Sequence, residues 1–368
     1  MSRDQGAKGP RDQGNVVARR LVRQRLLGAT FRTPAEAVAS LGAVQSQDYP
    51  GAKWALGQRV RGATDASIEA AFDRGEVVRV HALRPTWHFV APADLRWIQA
   101  LTGPRVQRIL AVYDRQLGLD ARTLARAHRI VERSLRGHAY KTRTELAVAL
   151  EAGGIEAAGQ TLARIMGHAE LTALVCSGPQ RGRHATYALV DERVPTARPL
   201  DRDEALAELT RRYFTSHGPA TVRDFVWWSG LTVKDTRAGL AMIGAESEEV
   251  DGLALWHVPA RLNVPDVAGS VHLLPNYDEY LVAYKDRQFV VPPSVKTMVA
   301  EQRTDVFANF VIVEGRLAGT WRRTVANSLV KVSVDLHRPV PRATKRAIDD
   351  AVSALADFHG RHAAREFL

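Results

Sequence analysis

Gln45, Ser46, Gln47 and Asp48 stand in a row, and their types could do chemistry together. A carboxamide donates through its NH2 and accepts through its oxygen, so two amides aimed at one point can hold a water molecule without ionising. In an extended chain residues two apart project to the same side, and Gln45 and Gln47 would share a ligand. In a continuing helix they would lie about 200° apart, and the run would be a polar helix end. Asp48 brings a carboxylate that could take a proton from water or simply cap a turn. Pro50 is expected to stop the preceding helix. A Schiff base at Lys53 would require a depressed pKa, and a phosphate contact is its expected role.

Other chemistries are missing. The 368 residues contain no GxxxxGKS or GxGxxG phosphate loop, no HExxH and no GxSxG elbow. The 12 histidines are scattered and Cys176 is the single cysteine, so an intrachain disulfide is impossible, and neither a metal nor a cofactor is expected. No apolar run approaches the ~18 residues of a membrane span. Residues 1–8 lack the apolar segment of a secretion signal, so a soluble cytoplasmic protein is expected. Lys+Arg 51 against Asp+Glu 40 gives a net charge of +11. Only 8 of the cations are lysine, which a GC-rich coding sequence explains, but the excess of cations over anions favours a polyanion partner.

The elements that must position these residues read as a repeat. Thr33-Pro34-Ala35-Glu36 is a helix start with a cap, a proline in the first turn and a glutamate three residues after the cap. It follows a helical pattern over Val16–Leu27, and residues 1–14 read as a disordered tail. Similar starts at Thr142…Glu145 and Thr221…Asp224 follow helical patterns over Ala121–Arg136 and Glu204–His217. Each start leads to a third helical stretch (Ala66–Arg74, Gly159–Glu170, Val233–Gly244) and then a β pair (Val77–Leu83 with Thr86–Val90, Leu174–Ser177 with Ala185–Val190, Ser247–Val250 with Ala254–Val258). Three helices and a hairpin is the winged-helix layout, and three tandem copies mark a repeat. Strands are expected over Val271–Leu274, Phe307–Val313 and Leu329–Leu336, with a closing helix over Ala343–Phe358. The expected fold is α+β: a tail (1–14), winged helices over 15–118, 119–199 and 200–262, and a β-rich region over 263–368, together forming a concave DNA-binding surface. Arg181 and Arg183 in one wing-like turn, and Arg322 and Arg323 after a hairpin at Gly315, are candidate DNA contacts.

Four segments together carry a resemblance. They are Val44-Gln45-Ser46-Gln47-Asp48, Leu83-Arg84-Pro85-Thr86-Trp87-His88, His257-Val258-Pro259, and Leu274-Pro275-Asn276-Tyr277-Asp278-Glu279-Tyr280 continuing to Tyr284-Lys285-Asp286-Arg287. The chain resembles the AlkZ-like family of winged-helix DNA glycosylases, typified by azinomycin-resistance enzymes that excise bulky N-alkylated purines and unhook interstrand cross-links. The likeness extends from residue 40 to about 325. It implies that Gln45 and Gln47 are catalytic, with Asp48 a further candidate. It also implies that His257 and Pro259 lie on a DNA-contacting hairpin; Lys53, Arg84, Thr86, His88 and Arg287 are further candidate DNA contacts. A sister branch with Gln-x-Asp accepts a broader range of lesions; glutamine at position 47 places this chain with the narrower cross-link branch. Ser46 departs from the apolar residue many members carry there.

The expected function is hydrolysis of the N-glycosidic bond of N7-alkylpurines, without a lyase step, by a monomer acting on double-stranded DNA in the nucleoid. A winged-helix transcription regulator and a protein-interaction scaffold are the rival readings.

Overall fold

A computed structural model describes residues 10–292, 295, 308–326 and 328–368. Among them the chain is mixed α+β. It runs α1 (Pro10–Arg23), α2 (Pro34–Leu41), β1 (Val44–Gln45), α3 (Tyr49–Gly57), α4 (Asp65–Asp73), β2 (Val78–Ala82), β3 (Thr86–Val90) and α5 (Leu95–Gln116). It continues through α6 (Ala121–Leu135), β4 (Lys141–Thr142), α7 (Arg143–Ala152), α8 (Gly159–Leu171), β5 (Val175–Ser177), β6 (Thr186–Leu189) and α9 (Val190–Arg193). Then come α10 (Arg202–Ser216), α11 (Val222–Ser229), α12 (Val233–Met242), β7 (Glu246–Val250) and β8 (Leu253–His257). The chain ends with β9 (Val271–Leu274), α13 (Glu279–Val282), β10 (Asn309–Val313), β11 (Arg316–Val325), β12 (Leu329–Leu336), α14 (Arg342–Phe358) and β13 (His362–Phe367).

One element order recurs: helix, short strand, helix, helix, hairpin. In the second block α6, β4, α7, α8, β5 and β6 form it, and the sheet order is β4-β6-β5. In the first, α2, β1, α3, α4, β2 and β3 form it, with order β1-β3-β2. In the third, a bridge between Ala220 and Trp256 replaces the short strand ahead of α11, α12, β7 and β8. The hydroxyls of Thr33, Thr142 and Thr221 each accept from the backbone N–H three residues on, as expected. The first block is shifted by one helix, however. The counterpart of α7 and α11 is α3, capped at Asp48, and the Thr33-capped α2 matches the long first helices α6 and α10. Pro50 starts α3 instead of stopping α2: its fixed φ suits a first turn, where no N–H is needed.

Other expectations change as well. Helix α1 begins at Pro10, inside the expected tail. Helix α5 passes through Gly103 and Pro104, and β13, unread in the sequence, adds in parallel to β12. The strand start at Phe307 lies outside the described residues. No helix among them is long and apolar enough to cross a membrane.

The cores show what holds the pieces together. Leu124, Val131, Leu146, Leu150 and Ile165 close a core within the second block. The first block instead shares its interior. Val44, Trp54 and Phe89 pack with Trp321, Val332 and Leu355 of the C-terminal sheet and α14. Val78 and Val80 pack with Leu209, Phe225 and Trp228 of the third block. Trp54 Nε1 donates to the Leu273 carbonyl (2.7 Å) and Trp321 Nε1 to that of Leu274 (2.9 Å), so the large indoles leave no buried donor unpaired.

Candidate active site

The chain at the glutamines is an extended edge that turns into a helix. Val44 pairs with Phe89 and Gln45 with His88. The ladder continues as Ser46 N donates to the Trp87 carbonyl (2.8 Å), and the chain then bends at Gln47 into α3. Arg79 from β2 donates twice to the Ser46 carbonyl (3.1 and 2.8 Å). Gln45 is 5% exposed, Ser46 is fully buried and Gln47 lies in solvent.

Both amide oxygens are engaged. Arg84 Nη2 donates to Gln45 Oε1 at 2.7 Å, and the Trp87 main-chain N–H donates to Gln47 Oε1 at 3.3 Å. The donors have no acceptor capacity, so the atom each meets must be oxygen. The NH2 end of each amide is thereby turned away from these donors.

Asp48 occupies the N-cap of α3 but makes no side-chain cap hydrogen bond. Its carboxylate lies over the first turn, where a Cβ on Gly51 would meet Asp48 Oδ2 at 2.6 Å and Asn276 Oδ1 at 3.1 Å. Asn276 Oδ1 is buried without a hydrogen-bond partner. Burial lowers the pKa of Arg323, against the opposing charges of Asp48 and Asp65. Burial, and then the charge of Asp48, raises that of Tyr277. Loop 275–278, the β11 arginine and the glutamine strand therefore converge on one carboxylate.

Beneath the strand lies a buried polar cluster. Glu279 is 1% exposed. It accepts from Gln45 N (2.7 Å) and Trp228 Nε1 (2.9 Å), and His217 Nε2 lies 3.4 Å from it. Burial would raise its pKa; His217 and the Gln45 N–H outweigh this and hold it below the usual range. Asp278 places Glu279 by accepting from both terminal nitrogens of Arg59 (2.8 Å each), a buried bidentate pair. The β2–β3 turn that carries Arg84 has Leu83 at φ 61° and packs on the end of α11. There Gly230 has φ 71°, and an added Cβ would meet the Leu83 carbonyl oxygen at 2.3 Å. Arg84 lies 5.4 Å from the Trp227 ring, with Lys285 4.5 Å from the same ring. Trp87 is flanked by His81, ring to ring at 4.3 Å, and by Arg79 at 4.5 Å.

The expected DNA contacts divide. Arg181, Arg183, Pro259 and Arg322 are exposed. Arg287 is half-buried and donates to the Leu281 carbonyl (3.0 Å), Thr86 is half-buried, and His257 lies 3.8 Å from Glu248. Two assignments change. His88 is fully buried, and burial and the charge of Arg84 push its pKa to about 3, so it is an internal neutral imidazole. Lys53 is 7% exposed and committed to Asp65 (3.0 Å) and Glu69 (2.7 Å), which leaves no free ammonium for phosphate. Arg84 is half-buried and gives one hydrogen bond, from Nη2, to Gln45. The roles of Glu279, Arg79, Trp87 and Trp227 were not read from the sequence, although Trp87 and Glu279 stand in segments that carry the family resemblance. Among the described residues no three His, Cys, Asp or Glu side chains are placed to hold a metal ion.

The profile of the AlkZ-like DNA glycosylases matches residues 38–358. The chain belongs to this family of DNA glycosylases, which sets the regulator reading aside. It is 23% identical over 348 residues to an interstrand DNA cross-link repair glycosylase of Streptomyces sahachiroi, covering 90% of this chain and 94% of that one. The solved structure of the S. sahachiroi DNA glycosylase AlkZ superposes with a TM-score of 0.79 at 19% identity, over 98% of this chain and 100% of the other.

Proposed function

We propose that the chain hydrolyses the N-glycosidic bond of N7-alkylpurines in double-stranded DNA, including purines tied into interstrand cross-links. The reading is carried by one observation: two neighbouring amides with anchored oxygens stand beside a carboxylate that is excused from capping. The NH2 groups of Gln45 and Gln47 hold the water oxygen, and Asp48 takes its proton. As the water oxygen bonds to C1′, the C1′–N9 bond breaks. Its electron pair neutralises the cationic purine, which leaves uncharged. A leaving group already charged needs little general-base help, normally worth ~10²–10⁴ in rate. This suits neutral amides better than a strong base.

Two blocks with the same sheet order, and a third with a bridge in place of the short strand, support a winged-helix repeat whose concave surface engages the lesion inside the duplex, with Arg181, Arg183 and Arg322 toward phosphates. A cross-linked base cannot be flipped out through ~180°. The commitment of Lys53 to two carboxylates supports a hydrolytic reaction without a Schiff base. The enzyme acts as a monomer on nucleoid DNA.

The test is excision from a duplex with one N7-alkylguanine, beside the matching cross-link. The double substitution Q45A/Q47A lowers single-turnover excision by at least ~10²-fold while DNA affinity holds. Excision at the parental rate overturns the assignment, and borohydride trapping of a protein–DNA adduct overturns the hydrolytic step.

A further inference from the structure

The cluster under the glutamine strand contains more charge than the proposed chemistry uses. Glu279 is buried and Arg84 half-buried, yet they do not pair with each other by hydrogen bonds. Each is instead bonded to the same residue. Glu279 accepts the main-chain N–H of Gln45, and Arg84 donates to its side-chain oxygen. Burying two ions is costly, and their replacement by apolar groups often stabilises a protein. Stability alone is therefore a poor reason to hold them here.

Resting on the catalytic role proposed for Gln45, we infer that Arg84 and Glu279 are positioning residues that lock the Gln45 amide with its NH2 toward the cleft. An arginine has no acceptor, so its contact selects one of the two amide rotamers; an ionised carboxylate has no donor, so its contact can hold only an N–H. Main chain and side chain are thus fixed by groups of opposite sign. Trp228 and His217 brace Glu279 from α11 and from the end of α10. Trp227 backs the guanidinium, whose Nε finds no hydrogen-bond partner. Across the ladder from Gln45, His88 remains uncharged and adds no competing ion. With its oxygen taken, Gln45 offers hydrogens to the water oxygen or the sugar oxygen, and the proton that water loses must go elsewhere.

A double-mutant cycle tests this on the full chain, with single-turnover excision and DNA affinity measured on a duplex carrying one N7-methylguanine. R84M should lower the excision rate by ~10²-fold, the usual effect of a small misplacement. Its affinity should change by less than about twofold, and on the Q45A background it should add less than about twofold. R84K keeps the charge and a donor, and should recover part of the loss. E279Q keeps an acceptor for the Gln45 N–H, and should lose less than R84M. If R84M does not fold, R84K and E279Q complete the same cycle. Equal losses from the Arg84 substitution with and without Gln45, or weakened DNA binding in both backgrounds, would show that Arg84 acts on DNA directly and overturn the inference. Excision by Q45A at the parental rate sinks the catalytic reading beneath it, a different and separable result.

Discussion

The first and second blocks place the same elements in the same order and use the start of the second helix in opposite ways. In the second, Thr142 and Glu145 close a reciprocal capping box at α7. In the first, Asp48 stands at the equivalent cap of α3 and Gly51 at the equivalent of Glu145, so no box can form. The second block's wing turn is solvated, and its Arg181 pairs with Glu145 at the surface. The first block's β2–β3 turn is pressed against α11 and feeds Arg84 to a buried amide. One copy completes its local bonds and packs a private core. The other leaves local bonds open and draws its partners from distant chain. The lesson is that a repeat frees polar side chains for long-range contacts where its capping and turn rules are relaxed.

Restoring a side chain at Gly51 tests the contrast most severely. Gly51→Ala sets a methyl against Asp48 Oδ2, whose carboxylate must move. Excision is expected to fall by ~10²-fold with little change in Tm. The reciprocal change Thr142→Ala should cost about 1 kcal/mol of stability and leave excision alone. Equal excision losses from both would erase the distinction.

Acid unfolding is next in size. The folded-state pKa of His88, about 3, lies below the ordinary imidazole value, because burial and then Arg84 disfavour its charged form. Between about pH 6.5 and that value the unfolded chain binds a proton the folded chain refuses, so stability falls on acidification by up to about 1.4 kcal/mol per pH unit. Above that window the group has no effect. In a series of thermal melts across this range, His88→Gln should show a flatter acid branch than the parent. An unchanged slope would mean that His88 is not the group refusing the proton.

The smallest effect belongs to the second block's turn. Arg181→Ala with Arg183→Ala should reduce the salt dependence of DNA binding by a slope of about 2, roughly 0.9 for each phosphate the protein no longer neutralises. Excision at saturating DNA should be unaltered. Loss of excision there would bring the wing into the active site.

Local signals were legible and remote ones were not. Thr142, Thr221 and their acidic partners mark helix starts because capping involves residues three apart. The same rule misaligned the first block, since Thr33 carries the stronger signature and Pro50 masks the start at Asp48. Helix α5 escaped notice because Thr102-Gly103-Pro104 reads as a break. Gly103 is in fact where the Leu171 carbonyl approaches, 2.6 Å from where a Cβ would stand. The glutamine pair was visible as residue types. His88 and Lys53 were misread as DNA contacts because basic side chains are ordinarily exposed, and the groups that bury them are set by tertiary packing.

The separation of 234 residues between Gln45 and the carboxylate that anchors its main chain also bears on timing. Translation delivers both glutamines early and Glu279 late. For most of its synthesis the growing polypeptide therefore carries Gln45 without the carboxylate that holds its main-chain N–H. The bond that fixes the Gln45 main chain can form only once the C-terminal part of the chain has been made and has folded back.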